Sequence, residues 1–286
     1  MVEDGQRKQL INQGFKTDIL ALEHGGELSY IHSDDKSKPA LILLHGIGGT
    51  ALNTWFDVIE LLQDDFYIIA PDLVWFGQSY SAKPATLQAQ TQAISELIQH
   101  LELPQTFIAG LSYGGFVTFD LMINEPHIAK AVMLASPGVF ITDDDLSQLT
   151  LQFGQTDIAD VFVPQDRQDT RLLLEHSFAN YPWYPWFIDE QIHQLYFAPN
   201  ADEKRNLIDS LPEYRDELLS LNITDDLPPS MLIWGESDNI FTLAQGRDFA
   251  QYLDSEILVI AKGSHTLSND FPEQVSEAIR KYFLDE

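Results

Sequence analysis

The 286-residue chain contains no cysteine, which excludes disulfides, thiolate metal sites and a cysteine nucleophile. Cations are scarce as well, with 16 Lys and Arg against 44 Asp and Glu, a formal net charge of -28. That charge repels phosphate backbones and anionic lipid surfaces, so nucleic acid is not expected as a partner. No apolar run approaches the length of a membrane span, and residues Met1 to Lys8 have no apolar h-region behind their charges. These absences lead to the expectation of a cytoplasmic protein. Internal repeats and low-complexity segments are missing too. His24, His32, His100, His127, His176 and His193 lack ligand-like spacing, so no metal and no cofactor is expected.

What is present is 44% hydrophobic residues, enough for one large domain or a domain with a sizeable insertion. Two short alternating segments, Gly14 to Leu22 and Glu27 to His32, flank Glu23-His24-Gly25-Gly26 and predict a β-hairpin. Continuous apolar runs at Ala40 to Leu44, Phe66 to Ala70, Thr106 to Ala109 and Lys130 to Ala135 suit strands buried on both faces. Helical periods fall between them at Asn53 to Leu62 and Thr86 to Leu101. The same alternation resumes with a strand at Ser230 to Gly235, a helix at Leu243 to Leu253, a strand at Glu256 to Ile260 and a helix at Pro272 to Leu284. This order predicts an α/β fold with a mostly parallel sheet, whose loops at the strands' C-terminal ends gather on one rim.

Between Gly138 and Asp225 the pattern breaks. The segment has no buried-strand run, carries helical periods such as Thr170 to Phe178 and Ile188 to Phe197, and is strongly acidic. It predicts a helical insertion over 138–225, with the core formed by 1–137 and 226–286. Its cluster Tyr181-Pro182-Trp183-Tyr184-Pro185-Trp186-Phe187 has two readings. The rings form a small core of the insertion, or they face the rim and line an apolar substrate pocket, with Trp183 and Trp186 as the candidates.

The chemistry centres on Gly110-Leu111-Ser112-Tyr113-Gly114, where a predicted strand turns into a helix. So tight a turn needs small residues two positions before and after the serine, and it lifts Ser112 clear of the backbone. The Tyr113 amide, at the positive end of the following helix, could meet an oxyanion. A serine hydroxyl needs a base, and His265 in Lys262-Gly263-Ser264-His265 falls just past a predicted strand on the same rim. Asp238 in Gly235-Glu236-Ser237-Asp238 occupies an equivalent place and could orient that imidazole. His45-Gly46-Ile47-Gly48-Gly49 supplies a glycine-rich turn able to aim the Ile47 amide at the same oxyanion, with His45 holding the loop. Asp143-Asp144-Asp145 reads as a solvated helix start, and Asp120 as a solvated or capping residue.

Taken together, the H-G-x-G-G loop, the elbow, the W-G-x-x-D acid segment and the G-x-H base segment resemble the α/β-hydrolase superfamily, in its capped serine-hydrolase, esterase- and lipase-like branch. The resemblance spans nearly the whole chain and implies an eight-stranded, mostly parallel sheet with a helical cap inserted after strand 6. It also implies the triad Ser112, Asp238 and His265, in the family's chain order, with Ile47 and Tyr113 as oxyanion donors. Asp72-Leu73-Val74-Trp75-Phe76-Gly77 resembles the family's loop after the fourth strand, which makes Trp75 and Phe76 candidates for the pocket wall. Haloalkane dehalogenases and epoxide hydrolases carry aspartate where this chain has Ser112, and proline iminopeptidases usually have tryptophan where it has Tyr113. The expected activity is hydrolysis of an ester with a small to medium, largely apolar acyl group. Carbon-carbon hydrolysis, acylhomoserine lactone hydrolysis and a slow-turnover binding or signalling role are the alternatives. The expected partner is a small-molecule substrate; oligomeric state is not readable.

Overall fold

The structure is a computed structural model and describes residues 2–221 and 227–284. Among them nine strands form one sheet: β1 (Lys16–Ala21), β2 (Gly26–His32), β3 (Ala40–Leu44), β4 (Tyr67–Pro71), β5 (Tyr80–Ser81), β6 (Thr106–Leu111), β7 (Ile128–Leu134), β8 (Ser230–Gly235) and β9 (Glu256–Ile260). Their spatial order is β1-β2-β4-β3-β6-β7-β8-β9, with β5 pairing β2 off this path. Neighbours from β4 to β9 along that order run parallel, whereas β1 and β2 form the antiparallel hairpin. The eight expected strands thus become nine. The addition, β5, is two residues long, too short to show any alternation, and pairs with Gly26 and Glu27.

The helices are α1 (Val2–Asn12), α2 (Ala51–Leu62), α3 (Leu87–His100), α4 (Tyr113–Asn124), α5 (Asp143–Gln152), α6 (Ile158–Phe162), α7 (Arg167–Ser177), α8 (Trp186–Ile192), α9 (Ala201–Asp209), α10 (Leu211–Leu221), α11 (Leu243–Tyr252), α12 (Leu267–Asp270) and α13 (Pro272–Leu284). Local chemistry starts several of them. Thr50, Thr142 and Thr242 each form reciprocal capping boxes, with Asn53, Asp145 and Gln245 respectively. The Asp143-Asp144-Asp145 run occupies the first turn of α5, where acidic residues suit the helix dipole.

Alternation along the central strands builds two apolar layers. Ile42, Leu44, Ile108, Met133 and Trp234 face the layer that includes α3, α4, α11 and the insertion, whereas Leu41, Leu43, Ala109, Val132 and Ile233 face the layer that includes α2 and α13. Burial on both faces explains why these strands read as unbroken apolar runs. Between β7 and β8 the described chain is helical, α5 to α10, with a π-helical turn at His193–Phe197. The expected end of this segment, at 225 with the core resuming at 226, lies outside the described residues.

In space β3 lies between β4 and β6, so the direction of strand succession reverses there. The loops after β3 and β6 consequently leave the sheet side by side at its C-terminal edge, where open parallel sheets form a crevice. The loops after β8 and β9 emerge from the same edge.

Candidate active site

Ser112 occupies the turn between β6 and α4 at φ 53° and ψ -117°, a conformation costly for a residue with a Cβ. Surrounding bonds hold it there: its amide donates to Leu134 O at 2.8 Å, and its carbonyl accepts from the Gly115 amide at 2.8 Å. The two elbow glycines are required by close approach. A Cβ on Gly110 would meet the Gly114 carbonyl and Thr118 Oγ1, and one on Gly114 would meet the Leu44 and His45 carbonyls. The elbow therefore packs directly on the loop after β3.

His265 is brought to Ser112 by the loop after β9. Its Nε2 lies 2.9 Å from Ser112 Oγ, and its Nδ1 lies 3.0 Å from Asp238 Oδ2. With Nδ1-H donating to the carboxylate, Nε2 is left to accept the serine proton. The second carboxylate oxygen, Asp238 Oδ1, accepts from the amides of Ile240 at 2.8 Å and Phe241 at 3.0 Å, which fixes its orientation. Gly235 allows the two loops to pack back to back, since a Cβ there would strike the carbonyls of Gly263 and Ser264. The Phe241 ring stands edge-on to the imidazole, with centroids 5.5 Å apart. Helix α7 completes the support: the Ser177 carbonyl accepts from the amides of His265 at 3.0 Å and Thr266 at 3.1 Å.

The loop after β3 is held by His45, which is fully buried. Its Nε2 accepts from the Leu73 amide at 2.9 Å, so Nδ1 carries the proton and donates to Gly46 O at 2.8 Å. Burial lowers its pKa to about 4, which keeps the ring neutral. Gly46 passes close to Ser112, and a Cβ there would lie 3.2 Å from the serine Cβ. Ile47 follows it. Among the described residues, no protein acceptor takes the Ile47 or Tyr113 amide. Asp72 ties the neighbouring loop to α2 through the Ala51 amide at 2.9 Å, and burial raises its pKa to about 6.

Two cavities meet at Ser112. The larger, about 220 Å³, is bounded by Gly46 to Gly49, Phe178, Tyr181, Tyr196, His265 and Thr266, among others. The smaller, about 30 Å³, is bounded by Tyr113, Phe116, Ile141, Leu146, Ile158, Ile208, Leu211, Pro212 and Phe241. Ile47, Ser112 and Phe162 line both and form the partition. Among the described residues, neither wall includes Lys, Arg, Asp or Glu.

The four aromatic residues expected at the pocket are not on these walls. Trp75 and Phe76 are 3% and 1% exposed and lie in the core. Gln90 clamps Val74 through both its amide and its carbonyl at 2.9 Å, which folds the loop inward. Phe76 then packs edge-on against His45 at 5.1 Å, supporting the loop from behind. Trp183 and Trp186 face solvent instead, at 79% and 62% exposure. From their cluster it is Tyr181 that lines the larger cavity, because its hydroxyl donates to buried Asp189 at 3.0 Å while Arg171 Nη1 holds the other carboxylate oxygen at 3.0 Å. The signal missed in the sequence is this anchor, Asp189, eight residues beyond Tyr181. Asp120 differs as well: it is buried, accepting from the Tyr214 hydroxyl and from Asn124 at 2.9 Å, far from any solvated cap.

The family model described as alpha/beta hydrolase fold matches residues 39–272. The chain belongs to the α/β-hydrolase family. Among relatives of this hydrolase, the uncharacterized hydrolase YugF of Bacillus subtilis is 26% identical over 264 residues, covering 90% of this chain and 94% of its own. The 3-oxoadipate enol-lactonase 2 of Acinetobacter baylyi is 25% identical, over 88% of this chain and 91% of its own. The solved structure of carboxylesterase CesB from Bacillus subtilis superposes with a TM-score of 0.75 at 17% identity, covering 99% of this chain and 97% of that one. At that identity the likeness concerns the fold.

Proposed function

We propose that this hydrolase is a serine esterase that cleaves uncharged esters through an acyl-enzyme on Ser112. The observation that carries the reading is the continuous chain from Ser112 Oγ to His265 Nε2 at 2.9 Å and from His265 Nδ1 to Asp238 at 3.0 Å. In the first step His265 takes the serine proton as Oγ bonds to the ester carbonyl carbon. The resulting oxyanion is met by the free amides of Ile47 and Tyr113, each such donor contributing about a hundredfold to a thousandfold in rate. Return of the proton from Nε2 to the alkoxide releases the alcohol, and water repeats the sequence to release the acid. In this reading residues 138–225 act as a cap over the core of 1–137 and 226–286, walling the cavities and excluding water.

The uncharged walls bear on the substrate. A free carboxylate on the substrate would meet no Lys or Arg in either cavity. Apolar walls around a triad therefore favour neutral esters over acidic substrates of lactonases or carbon-carbon hydrolases.

The test is hydrolysis of p-nitrophenyl butanoate by wild type and by Ser112→Ala. Wild type is expected to turn over, and the variant to lose at least roughly 10⁴-fold in kcat. Equal rates would refute the assignment of Ser112. Absent turnover in wild type, together with ligand-induced thermal stabilisation that survives in Ser112→Ala, would favour a binding role instead.

A further inference from the structure

We infer that the two cavities divide the ester, with a short acyl group in the small chamber and the alcohol, of much larger size, in the large one. The inference deepens the serine-esterase reading and rests on it. It follows from which chamber each group of the triad can reach. The leaving oxygen must receive its proton from His265 Nε2, so the alcohol has to occupy the chamber that His265 lines. That chamber is the large one, and its His265 side also presents Ser177, Thr266 and Asn269, polar groups suited to an alcohol and later to the attacking water. The small chamber has no contact with His265; it opens from Ser112 beside Ile47 and Tyr113, the residues whose amides are proposed to hold the oxyanion. The remaining substituent of the carbonyl carbon, the acyl chain, is left with that direction.

Size then sets the specificity. The 30 Å³ is room for the centres of small groups, of which each needs about 10–15 Å³, so the chamber holds roughly two or three methyl- or methylene-sized groups and suits acyl chains up to butanoyl. Apart from Ser112 and Tyr113 the walls are apolar, Phe116, Ile141, Leu146, Ile208 and Leu211 among them, and none of them carries a charge to meet a charged acyl group. The large chamber, at about 220 Å³, leaves room for an aryl or branched alcohol. Atoms balance as in any two-step ester hydrolysis. The Oγ–C bond forms as the acyl C–O bond breaks, the leaving alkoxide taking from His265 the proton that came from Ser112; water then gives a proton to His265 as its oxygen bonds to the acyl carbon, and the Oγ–C bond breaks as Oγ takes that proton.

Two ester series on the full chain test the division. Across p-nitrophenyl esters of two to eight acyl carbons, kcat/KM is expected to fall more than about tenfold from butanoate to octanoate, in line with the cost of a methylene that does not fit. Across acetates whose alcohol grows from ethyl to benzyl to 2-naphthyl, kcat/KM is expected not to fall. Leu146→Ala and Leu211→Ala, both half-buried positions on the small chamber, are expected to move the acyl optimum toward longer chains. Leu174→Ala, on the large chamber, is expected to leave the acyl ratio as in wild type. An octanoate rate within about threefold of butanoate in wild type, or acetates that fail as the alcohol grows, would overturn the division while leaving the serine-esterase reading intact. Failure of every ester, with no fluorophosphonate adduct, would instead overturn that reading and the division with it.

Discussion

At the scale of single residues, burial decides which groups around Ser112 carry charge. His45 and Asp72 hold the two loops beside the elbow, and both are buried, with pKa values of about 4 and about 6 against ordinary values of 6.5 and 3.8. Their linkage to folding has opposite sign. The depressed His45 contributes stability that is present above pH 6.5 and is lost as pH falls toward about 4. The raised Asp72 contributes stability that is present below pH 3.8 and is lost as pH rises through about 6. In wild type the two largely offset each other between these limits. Asp72→Asn is accordingly expected to gain stability relative to wild type by roughly 3 kcal/mol between pH 4 and 6, and His45→Gln to lose a similar amount, apart from constant offsets. Urea unfolding of the three proteins across this range checks the pair, and parallel profiles would contradict it. At this scale Ser112, Asp238 and His265 could be singled out in the sequence because each follows the end of a strand, β6, β8 or β9, a position that sequence patterns locate well. The cavity wall could not, because which ring faces a cavity depends on partners distant in sequence: Gln90 holds the loop that carries Trp75 and Phe76, and Asp189 anchors Tyr181.

At the scale of elements, the helical segment between β7 and β8 reaches the loop that carries His265. The C-terminal carbonyl of α7, at Ser177, accepts from the amides of His265 and Thr266, so the position of His265 depends on a helix of that segment. The same helix carries Arg171, which shares Asp189 of α8 with Tyr181. Asp189→Ala removes the acceptor that the two share, with Arg171 keeping Glu175 at 2.8 Å. It is expected to lower Tm by about 2–6 °C and to raise KM for a bulky-alcohol acetate more than it changes kcat. Unchanged Tm and KM would show that the network positions nothing. Elements with a strong period were legible: the hairpin of β1 and β2, the central strands, and α2, α3, α11 and α13 all fall on runs evident in the sequence. Those that lacked one were not. Helix α1 buries only Leu10 and has almost no apolar face to reveal it, while β5 is a two-residue pairing fixed by its neighbour. The π-helical turn at His193–Phe197 continues α8, and its period could not be told from an ordinary helix.

At the scale of the whole molecule, a net charge of -28 surrounds a site whose cavity walls bear no charged side chain among the described residues. The field repels anionic ligands at a distance and the walls offer them no Lys or Arg on arrival, so kcat/KM for an ester with a free carboxylate is expected to fall below that of its neutral analogue. Among the described residues no helix is long and apolar enough to cross a membrane. Ser112, the proposed nucleophile, stands where the loops after β3, β6, β8 and β9 meet, and the end of α7 holds the last of them. The most direct measurement of this role is the intact mass of the protein after incubation with a fluorophosphonate. The account predicts one adduct per wild-type chain, mapped to Ser112, and none on folded Ser112→Ala. A folded wild type that stays unlabelled, or an adduct that persists in the variant, would contradict it.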